Sequence, residues 1–116
     1  ESPSIEICKN LLNEGAFLTI HDCKVSEETI FKDLSSKNNV NKTRWSYHKD
    51  VYDTLDGSHA AIIMTEWDMY KTIDWKRVIP KINQPFWVFD TRLVIDPKEF
   101  KELGINLWQI GYGNNK

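Results

Sequence analysis

Three short stretches place charged and polar groups directly after apolar runs: Asp22-Cys23-Lys24, Thr65-Glu66-Trp67-Asp68 and Asp90-Thr91-Arg92. Where an apolar strand stops and such groups gather, a ligand can be held. Arg92 carries the sharpest chemistry. A guanidinium two residues beyond a buried strand offers a planar fork of donors that matches phosphate or carboxylate, whereas a lysine would offer a point charge. A surface ion pair with Asp90 or Glu99 would account for the same residue. Thr65, Glu66, Trp67 and Asp90 are the rim candidates around it, and each has a plainer use. Thr65 and Asp68 can cap a following helix, Asp22 and Asp90 can start loops, and Trp67 can close a core edge with its N–H paired.

Other chemistries find no support. His21, His48 and His59 lie far apart, without the short spacing that zinc ligands show. Neither a GxGxxG loop nor a P-loop is present to cradle phosphates, and no GxSxG marks a nucleophile elbow. Cys8 and Cys23 form no CxxC pair, and neither has a recognisable partner base. Free thiols are expected, and with them a reducing compartment, the cytoplasm. The residues therefore predict a binding surface with no catalytic group and no metal site.

Bulk properties narrow the partners. Lys and Arg total 15 against 17 Asp and Glu, a formal charge of −2, so nothing attracts nucleic acid or an anionic membrane. No apolar run approaches the about 20 residues of a membrane span, and no signal-peptide pattern opens the chain. At 116 residues, the expectation is a single domain over 1–116.

The elements that would position the candidates alternate. A helix is expected from Ser2 to about Glu14, stopped by Gly15. "FLTIHD" (17–22) reads as a strand, and Ser26-Glu27-Glu28 opens a helix through Leu34. The polar stretch 35–43 reads as a surface loop. A short strand follows at 44–47, then a helical turn or two from Asp50 to Leu55. "AAIIMT" (60–65) is continuously apolar, as a parallel strand covered on both faces would be. Helical signals run from Met69 to Ile82 with a bend near Pro80. "FWVFD" (86–90) is a second buried strand, Pro97 to Leu103 a helix stopped by Gly104, and "NLWQI" (106–110) the last strand. This alternation predicts an α/β, Rossmann-like open parallel sheet with helices on both faces. Ligands of such sheets sit beyond the carboxyl ends of the strands, where all three polar stretches fall.

The stretch "AAIIMTEWDMYKTIDWKRV", followed by "PFWVFDTRLVID", resembles the C-terminal, UDP-binding domain of the UDP-glucose/GDP-mannose dehydrogenase family, in its UDP-glucose 6-dehydrogenase branch. The family pattern has an apolar strand ending in T-E-W-D, and later F-D-G-R. The opening "ESPSIEICKNLLNEGAFLTIHDCKV" is similar to the family's E-S-x-S-I helix and Y-D-P-K-V turn, and "ELGINLWQIGYG" to its final strand. Thr91 stands where the family usually has glycine, and His21 and Cys23 replace a tyrosine and a proline. The resemblance implies NAD-dependent oxidation of UDP-glucose to UDP-glucuronate by a homo-oligomer. It places the catalytic cysteine and the NAD-binding loop in domains that would precede this one, together with the family's first strand. This chain alone is then expected to be inactive, with Arg92 at the substrate-contact position. Dehydrogenases acting on GDP-mannose or UDP-N-acetylmannosamine, and a stand-alone nucleotide-binding module, are the alternatives.

Overall fold

Helix and strand alternate along the chain in the computed structural model, which describes residues 3–34 and 44–111. The stretch 35–43, expected as a surface loop, lies outside the described residues. The strands are parallel and flanked by helices, so the class is α/β and compatible with a Rossmann-like fragment. They form two separate sheets, and the chain divides into two compact units, Glu1–Thr54 and Leu55–Lys116.

In the first unit, α1 (Pro3–Asn13), β1 (Leu18–Ile20), α2 (Glu27–Leu34) and β2 (Trp45–Tyr47) follow in order, and the boundary falls within α3 (Val51–Leu55). β1 and β2 pair in register from Leu18↔Trp45 to Ile20↔Tyr47. The expected stop at Gly15 is present. This glycine adopts φ 97°, where a side chain would be strained, and lets its own N–H and that of Ala16 close back on the carbonyls of Leu12 and Leu11. Ser26 starts α2 by accepting from the Thr29 N–H at 3.1 Å. Burying Leu12, Ile30 and Leu34 brings the two helices together over β1 and β2, with Ile5, Cys8, Ile20 and Trp45 packed around them. The Arg44 guanidinium donates to the Leu12 carbonyl near the end of α1.

In the second unit, β3 (Ala60–Ile63), β4 (Trp87–Asp90) and β5 (Asn106–Gln109) form a sheet with β4 central. Ile63 pairs with Asp90, and Asp90 with Gln109, so these three lie in one row at the carboxyl ends of the strands. α5 (Pro97–Leu103) has both of its expected boundaries: Asp96 accepts from the Lys98 N–H, and Gly104 closes it at φ 76°. Its Phe100 meets Trp75 edge-on at 5.0 Å between ring centres, and both rings are buried.

Two expectations change. The helix expected over Met69–Ile82 is three short pieces: a 3-10 turn at Asp68–Thr72, α4 (Trp75–Val78) and another 3-10 turn at Ile79–Lys81. Ile73 and Asp74 between the first two are extended, with ψ 130° and 93°. Tyr70, Ile73, Trp75, Val78 and Ile82 are all buried, so a broken chain meets the same apolar demand that a continuous helix would. Continuous apolarity in β3 and β4 also does not mean equal burial of both faces. Ile63, Val88 and Asp90 are buried on one face, whereas Ile62, Trp87 and Phe89 on the other are each more than a third exposed.

Candidate functional site

Asp90 organises the carboxyl ends of β3–β5. Its side chain is fully buried, a position a carboxylate holds only with donors around it. Three are present. The Arg92 N–H reaches Oδ1 at 3.1 Å, and the Ile95 N–H and Gln109 Nε2 reach Oδ2 at 2.8 and 2.9 Å. Gln109 Nε2 also donates to the Ile95 carbonyl at 2.9 Å. One acid at the end of β4 thus ties down the turn at two points and links it to β5. Leu93, inside that turn, takes a left-handed conformation at φ 59°.

Thr91 binds the same turn to β3. Both its N–H and its hydroxyl donate to the Ile63 carbonyl, at 3.1 and 2.7 Å. The left-handed residue of this turn is Leu93, not Thr91, so threonine fits where the family's usual glycine would stand.

Arg92 is thereby carried to the surface where β3 and β4 end. Its Nε donates to the Met64 carbonyl at 3.2 Å, and its Nη1 pairs with Glu66 Oε1 at 3.3 Å. The ion pair expected with Asp90 or Glu99 is therefore made with Glu66. Asp90 instead serves the turn, which is the loop-starting role weighed for it.

The remaining rim candidates are close by in the chain. Thr65 and Trp67 are half-buried in the bend after β3. Neither Thr65 nor Asp68 caps a helix, because the following element is a 3-10 turn headed by Trp67 without a side-chain cap. Asp68 instead lies 3.8 Å from Lys71. The structure thus gathers Glu66, Asp90 and Arg92 through direct bonds.

Asp22-Cys23-Lys24 belongs to the other unit. There Asp22 Oδ1 accepts from the N–H groups of Lys24 and Val25, at 2.8 and 3.2 Å, and starts a loop. The Tyr47 hydroxyl closes the corner on the Asp22 carbonyl at 3.0 Å. His21 Nε2 lies 3.1 Å from the Lys49 carbonyl. Both cysteines are free. Burial pushes the Cys8 thiol above its ordinary pKa, which leaves little thiolate for nucleophilic work.

Gln109 escaped the sequence reading. Its signal was a polar side chain in the apolar strand "NLWQI", where a buried amide implies a buried partner. Chemically, the site presents a surface guanidinium at a strand end, with its residue's backbone N–H held by a buried acid and its Nε by a backbone carbonyl. That arrangement can hold an anion.

Residues 1–97 match the model of the UDP-glucose/GDP-mannose dehydrogenase family, UDP binding domain. The chain is 42% identical over 117 residues to the UDP-glucose 6-dehydrogenase of Bos taurus and 41% identical to that of Gallus gallus. It is 33% identical over 128 residues to UDP-glucose 6-dehydrogenase 5 of Oryza sativa subsp. japonica. Each alignment covers 96% of this chain and 24–26% of the relative, so the chain spans about a quarter of the length of these enzymes. No helix among the described residues is long and apolar enough to cross a membrane. With T-E-W-D at the end of β3 and F-D-T-R at the end of β4, the chain belongs to the UDP-glucose/GDP-mannose dehydrogenase family, as its UDP binding domain.

Proposed function

We propose that residues 1–116 act as one UDP-binding domain of a cytoplasmic, homo-oligomeric, NAD-dependent UDP-glucose 6-dehydrogenase, which oxidises UDP-glucose to UDP-glucuronate. Arg92 is the substrate contact, with Thr65, Glu66, Trp67 and Asp90 forming the rim. NAD is held and the oxidation performed by domains outside this chain, so the chain alone does not turn over substrate. What supports the reading is the presentation of Arg92: its guanidinium lies at the joint carboxyl ends of two adjacent parallel strands, where open α/β sheets take their ligands. The nucleotide half of the substrate is remote from the reacting carbon. Its binding therefore serves to orient the sugar.

Substituting Arg92 in the protein at its natural length tests this. A charge-assisted hydrogen bond contributes about 1.5–3 kcal/mol net, so Arg92→Ala should weaken UDP-glucose binding about 10- to 150-fold. Arg92→Lys should recover part of the loss, because the charge remains while the fork is lost. NAD affinity and the thermal melt should stay as in the unsubstituted protein. UDP-glucose binding by Arg92→Ala at full strength would remove Arg92 from the site.

A further inference from the structure

Arg92 does not offer a complete fork. A guanidinium grips an anion through two nitrogens on one edge, either Nε with Nη2 or Nη1 with Nη2. Nε is bonded to the Met64 carbonyl and Nη1 is paired with Glu66, so each edge has one nitrogen engaged. Only Nη2 is without a partner among the described residues. A diphosphate oxygen pair can seat itself only if one of the two bonds gives way.

The two bonds differ in how easily they yield. Met64 follows immediately on β3, and the neighbouring Ile63 carbonyl is held by both donors of Thr91. Moving the Met64 carbonyl would disturb that strand end. Glu66, by contrast, is a side chain 66% exposed, paired with a guanidinium 50% exposed, and an ion pair of that kind is worth little in water. On leaving, its carboxylate returns to solvent by side-chain rotation and strands no buried charge. While it stays, it also repels any anion approaching Nη2.

We propose that Glu66 is a displaceable internal counterion of Arg92: it occupies the position that a ligand diphosphate takes at the Nη1–Nη2 edge, and it must swing away for that ligand to bind. This rests on the reading of Arg92 as the phosphate contact. Glu66 thus disfavours weakly charged or singly bonding anions, since these gain little beyond the one contact the carboxylate already makes, whereas a diphosphate engages both Nη1 and Nη2. In this role the residue sets the threshold for binding and takes no part in the chemistry.

Titration of UDP, inorganic diphosphate and uridine into the protein at its natural length, with Glu66→Gln, Glu66→Ala and Arg92→Ala, tests the proposal. Removing the competing charge should tighten UDP and diphosphate about 2- to 5-fold in both Glu66 variants, the full worth of an exposed pair. Uridine, which carries no phosphate, should bind all variants alike. Adding Glu66→Gln to Arg92→Ala should give less tightening than it gives alone, because no fork is left to release. If Glu66→Gln leaves UDP binding unchanged or weakens it while Arg92→Ala is strongly impaired, Glu66 is not a competitor and the counterion role is wrong, with Arg92's role intact. If Arg92→Ala binds UDP normally, both the site reading and this inference fall.

Discussion

Asp90 does for the turn what a metal ion does in other loops, gathering donors from three places in the chain. Its removal leaves the N–H groups of Arg92 and Ile95 and one N–H of Gln109 without their acceptor in a buried setting. Each such loss costs about 1–3 kcal/mol, so Asp90→Ala should lower stability by about 3 kcal/mol or more in denaturant unfolding. Asp90→Asn should cost less, because one carbonyl oxygen remains, yet its NH2 would face a donor. Arg92→Ala should leave stability nearly unchanged. The contrast separates a residue that holds the turn together from one whose side chain sits on its surface. For Arg92 the sequence offered a surface ion pair and misassigned its partner. It weighed Asp90 and Glu99, which are near in sequence, while Glu66 reaches Arg92 only because β3 and β4 lie side by side.

At the scale of elements, legibility tracked local signals. α5 was readable end to end because each boundary has its own residue: Asp96 as cap, Pro97 in the first turn and Gly104 beyond the last. These bonds predict separate, modest effects. Asp96→Ala should cost about 1 kcal/mol through loss of the cap. Gly104→Ala should cost about 1–2 kcal/mol from its left-handed backbone alone, since an added Cβ meets no atom within 4 Å. Both are measured by thermal or chemical unfolding, and a Gly104→Ala variant of wild-type stability would refute the conformational argument. The segment 68–82 lacks such markers. Its buried residues recur at helix-like spacing, but Trp67 and Asp74 head the first two short elements without a side-chain cap, and Ile73 and Asp74 break the run. Apolar spacing reports which residues are buried and leaves the backbone path between them open.

For the molecule as a whole, the two sheets differ in how firmly they are held. β1 and β2 are three residues each, and each has one neighbour in the sheet. A two-stranded sheet depends on the helices packed over it, here α1 and α2, whereas β4 is paired on both sides. Native-state hydrogen exchange should therefore show amides of Thr19, Ile20 and Tyr47 exchanging faster than those of Val88 and Phe89. Equal protection in the two sheets would mean that they open together. The separation into two sheets was not legible, and a single open sheet was expected. Parallel strands and alternation followed from sequence, while which strands pair depends on contacts between segments far apart in the chain.

The bond from Thr91 to Ile63 has a consequence in evolutionary terms. A family can keep a turn rigid by two different inheritances: a small residue that lets the backbone pass closely, or a hydroxyl that fastens the turn to the next strand. This chain follows the second route, with two donors on one carbonyl. For a lineage on this route, losing the hydroxyl leaves one donor on the Ile63 carbonyl and a looser tie between β3 and the turn that carries Arg92.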